Sequence, residues 1–301
     1  MTLKINQNEV LTPPVAAATV VVLRDSPQGV EVLLVKRHGK SQVLAGAHVF
    51  PGGKLDASDC QTDPEQLDQS GLAMQQALAE SDLDTARASG LYVAALRETF
   101  EECDLLLHEG DRPDRIAALR SDLRGHLAQG LAYGQALRQM NLGPLQTRQL
   151  HPWARWITPR KPSMMDRRFD TRFFVAIAPA GQQACHDAHE ITEALWLTPK
   201  QAIERYWDGQ MNLAPVQLLT LMQVGRLPTA ADVMRAARSR APMHVLPEPH
   251  DVEGGRVLCY PGDPGHPVAQ AAWEGPTRMI YRNGRFEPEG GLQALIGTLA
   301  R

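Results

Sequence analysis

The chain has 301 residues, of which 43 % are hydrophobic and 22 % charged, and its net charge is −3. This length suits one large domain with extensions or two domains, and the composition is that of a soluble globular protein. The charge balance argues against a general nucleic-acid-binding surface. The longest apolar run, residues 15–23, is too short to span a membrane, and the first residues lack the apolar core of a signal peptide.

The cysteines lack the spacing of a disulfide framework or of a metal site. They are Cys60, Cys103, Cys185 and Cys259. Free thiols in a reducing compartment are the simplest interpretation, and the closing Leu-Ala-Arg is not a peroxisomal targeting signal. We therefore expect a cytoplasmic protein.

Strands are predicted over residues 15–23 and 30–36, joined by a turn at residues 25–29. The first is a nearly continuous apolar run, which is typical of a strand buried on both faces. A third extended piece, residues 47–50, leads into Gly52-Gly53. A double glycine at this place permits the close backbone approach that a loop under a metal or phosphate site requires.

A helix predicted from residue 91 to about residue 103 carries a cluster of carboxylates on one face. Glu98, Glu101 and Glu102 are spaced i, i+3, i+4, and like charges at that spacing repel one another. Arg97 can pair with Glu101, four residues later, and a divalent cation can bind between the other carboxylates. A solvated acidic face is the alternative that this stretch leaves open.

Together, the glycine pair and the helix resemble the box of the Nudix hydrolases. That box reads Gly, five residues, Glu, seven residues, Arg-Glu-apolar-x-Glu-Glu-x-Gly-apolar. The residues that hold its places here are Gly53, Arg97, Glu98, Glu101, Glu102 and Leu105. The resemblance implies metal-dependent hydrolysis of a nucleoside diphosphate linked to another moiety.

The match departs from the box in three residues and in its spacer. Asp59 replaces the first Glu, Thr99 is polar where the box is apolar, and Asp104 replaces the Gly that ends the helix. Asp is among the few residues that tolerate a left-handed backbone, so we expect the helix end to survive. The spacer, residues 60–96, has 37 residues in place of seven. A subgroup related to the peroxisomal coenzyme A diphosphatases carries a long insertion at this point.

The resemblance implies an α+β fold, the Nudix α/β/α sandwich with a mixed β-sheet. We assign the Nudix domain to residues 10–226, with an insertion over residues 60–90 that forms one or two short amphipathic helices. The Pro- and Gly-rich remainder, residues 227–301, is predicted to be a C-terminal extension docked on that domain, since it has too little apolar content for a core of its own.

The resemblance also implies the roles of the site residues. Glu98, Glu101 and Glu102 would hold Mg²⁺ or Mn²⁺, and Arg97 would orient Glu101, so that Glu98, Glu101 and Arg97 form the predicted catalytic set. The general base varies in position within the family, and Glu190 and Glu193 are the candidates for it or for a further metal ligand.

A second pattern, in residues 33–53, resembles the signature of the coenzyme A-cleaving members. Its matching residues are Leu33, Leu34, Arg37, Gly46 and Phe50-Pro51-Gly52-Gly53. Val35, His38 and Gln42 do not match, and Gln42 replaces an Arg. We predict that Arg37, Gly52 and Gly53 contact substrate, although a surface salt bridge is the open alternative for Arg37. The favoured substrate is coenzyme A or its acyl esters, and capped RNA, NADH and ADP-sugars stay open.

Six cations lie between or within two predicted strands near residues 153–178. They are Arg155, Arg160, Lys161, Arg167, Arg168 and Arg172. A diphosphate needs such groups to neutralise its charge, and Arg168 and Arg172 are predicted to bind substrate because they lead into a strand. A solvated basic loop is the alternative.

A small-molecule diphosphate is the expected partner, with no membrane and no general nucleic acid. Many members of the family are dimers, so a homodimer is consistent with the resemblance. The rival function class is a non-catalytic member that kept the fold for ligand binding or regulation, which the departures at Asp59 and Asp104 favour. The complete set of Arg97, Glu98, Glu101 and Glu102 favours an enzyme.

Overall fold

The structure, a computed structural model, describes residues 6, 8–39, 41, 44–108, 113–185, 191–253 and 255–300. Within these ranges the main sheet is mixed. Its strands are β1 (Val15–Ser26), β2 (Gly29–Arg37), β3 (His48–Val49), β4 (Gly52–Lys54), β5 (His151–Ile157), β6 (Phe169–Ile177), β7 (Ile191–Leu197) and β8 (Met243–Val245). β1 lies at its centre, parallel to β6 and antiparallel to β2 and β4.

Helices cover both faces of this sheet. They are α1 (Gly71–Leu78), α2 (Thr85–Cys103), α3 (Pro113–Ala128), α4 (Tyr133–Gln139), α5 (Pro199–Trp207), α6 (Pro215–Gly225), α7 (Ala230–Ser239) and α8 (Gly291–Ile296). Val20 and Val22 of β1 pack with α1 to α4, whereas Val21 and Leu23 pack with α5 to α8. The alternation of β1 side chains between two apolar layers explains its continuous apolar run, and it confirms the predicted α/β/α sandwich.

The helix that carries the acidic cluster, α2, is longer than predicted. It begins at Thr85 rather than near residue 91, because the Asp84 side chain caps it by accepting a hydrogen bond from the backbone N–H of Arg87 at 2.8 Å. It ends where expected, with Asp104 at φ 56°, so the predicted left-handed conformation is confirmed. The insertion therefore consists of two short 3-10 turns, α1 and the first residues of α2.

A second, antiparallel sheet follows in the C-terminal part of the chain. Its strands are β9 (Glu248–Val252), β10 (Gly255–Cys259), β11 (Arg278–Arg282) and β12 (Arg285–Pro288). β8 joins the main sheet beside β5, and Leu258, Met279 and Phe286 share one apolar core with β5 and β6. This region therefore packs against the main sheet, and the division into a domain of residues 10–226 and an extension of residues 227–301 stays a prediction.

Candidate active site

A cleft of about 640 Å³ opens between β4, the C-terminal half of α2 and the start of β6. Of the predicted site residues, Arg37, Gly52, Gly53, Glu98 and Glu102 line it. Glu101 is not among the lining residues, and its side chain is 39 % exposed. Two residues of the acidic cluster thus face the cleft together with the glycine loop, and the third lies beside it.

Arg97 connects the carboxylates around the cleft. Its Nη1 donates to Glu98 Oε1 at 2.8 Å and to Glu101 Oε2 at 3.1 Å. Its Nε and Nη2 donate to the two carboxylate oxygens of Asp59 at 3.0 and 2.9 Å, and Nη2 also donates to the Lys54 carbonyl. Arg97 and Asp59 are both buried, so this bidentate pair fixes the guanidinium against the loop that follows β4. The predicted Arg97–Glu101 pair is present.

Glu102 is buried and bound to the glycine loop. The backbone N–H of Gly52 donates to Glu102 Oε2 at 2.9 Å, and Arg37 Nη1 lies 3.9 Å from Glu102 Oε1. The Arg37 contact is a weak ion pair at that distance, and the buried Arg37 Nε has no hydrogen-bond partner among the described residues. The guanidinium therefore retains donor capacity at the cleft.

The two glycines are needed for different contacts. A Cβ at Gly53 would lie 2.3 Å from Glu98 Oε1, so a side chain there would displace the Glu98 carboxylate. A Cβ at Gly52 would lie 2.4 Å from the backbone carbonyl of Ala18, so a side chain there would push β4 away from β1. The absence of a side chain at Gly53 thus leaves room for the Glu98 carboxylate, and its absence at Gly52 allows β4 to pack closely against β1.

Burial raises the pKa of Glu98 to about 7, with the Glu101 charge adding to the rise and the Arg97 charge opposing it. Burial likewise raises the pKa of Glu101, against Arg97. Both shifts arise because negative charge is held in a partly desolvated place with one guanidinium shared among several carboxylates. The site therefore has an excess of negative charge that a bound cation would compensate.

The chemistry of the carboxylates suits a hard divalent cation such as Mg²⁺ or Mn²⁺. Nudix hydrolases in general use divalent metals. Among the described residues, however, no three His, Cys, Asp or Glu side chains converge closely enough to hold an ion as they stand. Glu98 and Glu101 accept hydrogen bonds from Arg97, and Glu102 accepts one from Gly52, so part of the acceptor capacity of each carboxylate is already used.

Two of the arginines that were predicted to bind substrate do not line the cleft. Arg172 is buried, with its guanidinium on the carboxylate of Glu80 and on Asp170, and it is not among the residues that line the cleft. Arg168 donates to the Thr158 carbonyl at 3.0 Å and also does not line the cleft. Both guanidinium groups are bonded to neighbouring protein groups here, and their contact with substrate stays a prediction.

Of the two predicted base candidates, the structure describes Glu193, which does not line the cleft. Glu193 lies on β7 opposite Lys36 of β2, with its carboxylate 3.6 Å from His48 Nε2, and it is not among the lining residues. Glu190 lies outside the described residues. The general base therefore stays unassigned.

The cleft also contains polar residues that were not among the predicted site residues. They are Thr19, His38, Ser41, Lys54, Asp56, Arg167, Thr171 and Gln217. Lys54 and Asp56 directly follow the glycine pair, so their position beside the motif was a usable signal. Gln217 is contributed by α6, far away in sequence, and no pattern in the sequence links it to this cleft.

Residues 10–224 match the family model described as the NUDT19 Nudix domain. This span is more than half of the chain, and the chain accordingly belongs to the Nudix hydrolases and is an enzyme of that class. Its curated relatives include the acyl-coenzyme A diphosphatase NUDT19 of Xenopus laevis, which is 27 % identical and aligns with 85 % of this chain and 79 % of the relative. The Gallus gallus protein of the same name is also 27 % identical, over 80 % of this chain and 74 % of its own.

A solved structure supports the fold independently. The NUDIX hydrolase from Alicyclobacillus acidocaldarius is 26 % identical, and its TM-score is 0.57 over 77 % of this chain and 99 % of that one. The described part of the present chain has no helix of the length and apolarity that crossing a membrane demands.

Proposed function

We propose that this Nudix hydrolase cleaves the diphosphate linkage of coenzyme A or of its acyl esters, giving phosphopantetheine or its acyl derivative and 3′,5′-ADP. The observation that carries the proposal is the meeting of Gly52, Gly53, Glu98 and Glu102 with the cations Arg37, Lys54 and Arg167 in one cleft. Cations beside carboxylates fit a substrate that is itself anionic and needs a metal to approach acidic side chains.

The side chains have distinct proposed roles. Glu98, Glu101 and Glu102 would hold Mg²⁺ or Mn²⁺, which when bound would neutralise phosphate charge and polarise the phosphoryl group. Arg97 positions Glu98 and Glu101 through its Nη1. Arg37, Gly52 and Gly53 are the proposed substrate contacts, and the lining residues Lys54 and Arg167 are added to them.

In the overall reaction, water adds to one phosphorus while the bond from that phosphorus to the bridging oxygen breaks. The other phosphate leaves with the bridging oxygen, and the proton of water is released to solvent or to a base. Such a displacement needs mainly positioning and charge neutralisation, which fits a site composed of carboxylates, guanidinium groups and backbone N–H groups.

The choice of coenzyme A is supported by two independent observations. Leu33, Leu34, Arg37, Gly46 and residues 50–53 match the coenzyme A signature, and Arg37 lines the cleft. Relatives aligned over most of their length are named acyl-coenzyme A diphosphatases. These names, and the complete Arg97, Glu98, Glu101 and Glu102 set, count against the non-catalytic alternative.

The test is to incubate the purified protein and Mg²⁺ or Mn²⁺ with coenzyme A, an acyl-coenzyme A, NADH, ADP-ribose and capped RNA, and to separate the products. We expect 3′,5′-ADP from coenzyme A or its acyl ester, and no turnover after chelation of the metal. Cleavage of another compound in preference would overturn the substrate, and an inert protein that still binds metal would revive the non-catalytic alternative.

A further inference from the structure

Beside the cleft lies a second, apolar pocket of about 200 Å³, which we call the arm pocket. It shares Thr19, Leu44, Phe169, Thr171 and Gln217 with the cleft, so the two spaces adjoin. Its outer walls come from three separate parts of the chain. They include Met164 and Met165 from the loop before β6, Pro215 and Val216 from α6, and Leu258 and Tyr260 from the C-terminal region.

The walls of the arm pocket include three side chains with unsatisfied polar atoms. Trp156 Nε1, Ser163 Oγ and Gln217 Oε1 are buried and have no hydrogen-bond partner among the described residues. These three residues are at most 9 % exposed. They offer an N–H donor, a hydroxyl and a carbonyl acceptor, a combination that can satisfy both ends of an amide. Buried unpaired groups of this kind cost stability unless a ligand pairs with them.

Three aromatic rings of the arm pocket are already used in packing, and a fourth, Phe169, lies where the pocket adjoins the cleft. Trp156 stacks on Trp273 with ring centroids 5.9 Å apart, and it also contacts Tyr260 and Phe173. Nucleobases are bound mainly by stacking on aromatic faces. Most of the remaining wall is aliphatic or thioether, with the flexible methionines that suit an irregular chain. The pocket therefore favours an aliphatic ligand with amides over a base.

The C-terminal region holds one wall of the arm pocket in place. Arg256 is fully buried and donates to the carbonyls of Lys161 and Pro162, at 3.3 Å each, and to Asp251 at 2.9 Å. Lys161 Nζ donates in turn to Asp251 at 2.5 Å. These bonds tie the loop that carries Met164 and Met165 to the second sheet, so that the extension shapes the pocket as well as lining it.

We propose that the arm pocket binds the pantetheine arm of the substrate beside the diphosphate, an inference that rests on the proposed function. In coenzyme A the group next to the diphosphate is a branched aliphatic segment followed by an amide. An apolar cavity of about 150 Å³ holds a benzene molecule, so this pocket has room for that segment. It thereby selects diphosphates that carry an amide-bearing aliphatic arm, and the C-terminal extension is a determinant of specificity.

Calorimetry with the full chain and Mg²⁺ tests the proposal with two separate probes, 4′-phosphopantetheine and ADP. Val216→Phe adds an aromatic ring at a half-buried wall position. We expect it to lower the affinity for 4′-phosphopantetheine by about tenfold or more, while the affinity for ADP should stay within about twofold of the wild-type value. Val268→Phe makes the same substitution at a side chain that is 50 % exposed, outside the pocket, and should change neither affinity.

A second variant removes one polar atom and no bulk. Ser163→Ala should lower the affinity for 4′-phosphopantetheine by about threefold to tenfold, because a hydrogen bond to the ligand is lost. Its Tm without ligand should be unchanged or higher, since an unpaired buried hydroxyl disappears. If Ser163 is only structural, the Tm changes and the affinity does not.

The outcomes separate this proposal from the proposed function. No binding of 4′-phosphopantetheine by the wild type overturns the arm pocket, as does an unchanged kcat/KM for coenzyme A in Val216→Phe. Binding that depends on Val216 and Ser163, in a protein that cleaves no coenzyme A compound, overturns the proposed function and retains the pocket.

Discussion

At the scale of single residues, Arg97 explains how this chain can carry a shortened residue in its motif. Asp59 is 2 % exposed and binds Arg97 through both carboxylate oxygens, while Asp59 Oδ2 also accepts the backbone N–H of Asp56. A carboxylate here fixes the arginine that in turn holds Glu98 and Glu101. The shorter side chain of Asp59 therefore still binds Arg97, and we infer that Asp59 positions this arginine.

The raised pKa of Glu98 predicts a pH dependence of stability in the metal-free protein. The folded carboxyl keeps its proton up to about pH 7, whereas the unfolded chain releases it near the ordinary value of 4.5. The unfolded state then binds fewer protons, so the free energy of unfolding falls as pH rises from 4.5 through 7, by roughly 2–3 kcal/mol.

Urea unfolding of the wild type and of Glu98→Gln, at pH 5 and pH 8 with chelator present, measures this effect. The variant should lack the fall in the free energy of unfolding that the Glu98 carboxyl causes. It should therefore gain stability relative to the wild type at the higher pH. A difference between the two proteins that is the same at both pH values would contradict the assigned shift.

The two glycines give a matched pair of predictions. Gly53→Ala displaces the end of the flexible Glu98 side chain, so we expect at least about a tenfold loss of kcat with little change in Tm. Gly52→Ala meets the Ala18 backbone and should instead lower the Tm by several degrees. Melting curves and steady-state kinetics of both variants decide the matter, and equal effects of the two on Tm would refute the distinction.

At the scale of elements, an acidic residue of the insertion adds ion pairs to the apolar packing of α1 on the main sheet. Glu80 follows α1 and pairs with Arg172, and its Oε2 lies 2.9 Å from Arg155 Nη1. Asp170 completes the cluster by binding both guanidinium groups. In this arrangement the guanidinium groups of Arg155 and Arg172 are paired with carboxylates of the protein.

Removal of Glu80 leaves two partly buried cations with one carboxylate between them. Glu80→Ala should therefore destabilise the protein by about 3–5 kcal/mol, measured by chemical denaturation. Asp82→Ala, at an exposed position two residues further along the same loop, should stay within about 0.5 kcal/mol of the wild type. Similar values for both variants would rule out a stabilising role of Glu80.

At the scale of the whole molecule, one apolar core joins the Nudix fold and the C-terminal region. Phe286 of β12 is 1 % exposed and belongs to the same cluster as Trp156 and Phe173. Phe286→Ala should lower the free energy of unfolding by about 3–5 kcal/mol. The loss should appear in one transition, at the same midpoint by tryptophan fluorescence and by far-UV circular dichroism. Two separated transitions would show that the regions unfold independently.

The parts of the site that lie within short motifs could be predicted from sequence. The spacing of Glu98, Glu101 and Glu102 on a helix, and the left-handed turn at Asp104, follow from local rules of helix geometry. The sandwich followed from the same motifs through the family resemblance. These features depend on residues that are close together in the chain.

The remaining parts depend on pairings between distant segments. Arg172 is neutralised by Glu80, 92 residues away, and Glu193 is placed by the β2–β7 pairing. Gln217 reaches the cleft from α6, and Leu258 of β10 and Tyr260, which follows β10, reach the arm pocket. Spacing within the sequence does not predict such contacts, since they are set by tertiary packing.

The most direct test of the account is the rate of coenzyme A cleavage by Glu98→Gln beside that of the wild type, with Mg²⁺ and with folding checked by circular dichroism. We predict release of 3′,5′-ADP by the wild type, and less than about a tenth of that rate in the variant. Glu65→Gln, at an exposed position of the insertion, serves as the control and should keep the full rate. A folded Glu98→Gln enzyme that retains more than about a tenth of the wild-type rate would contradict the central role of Glu98.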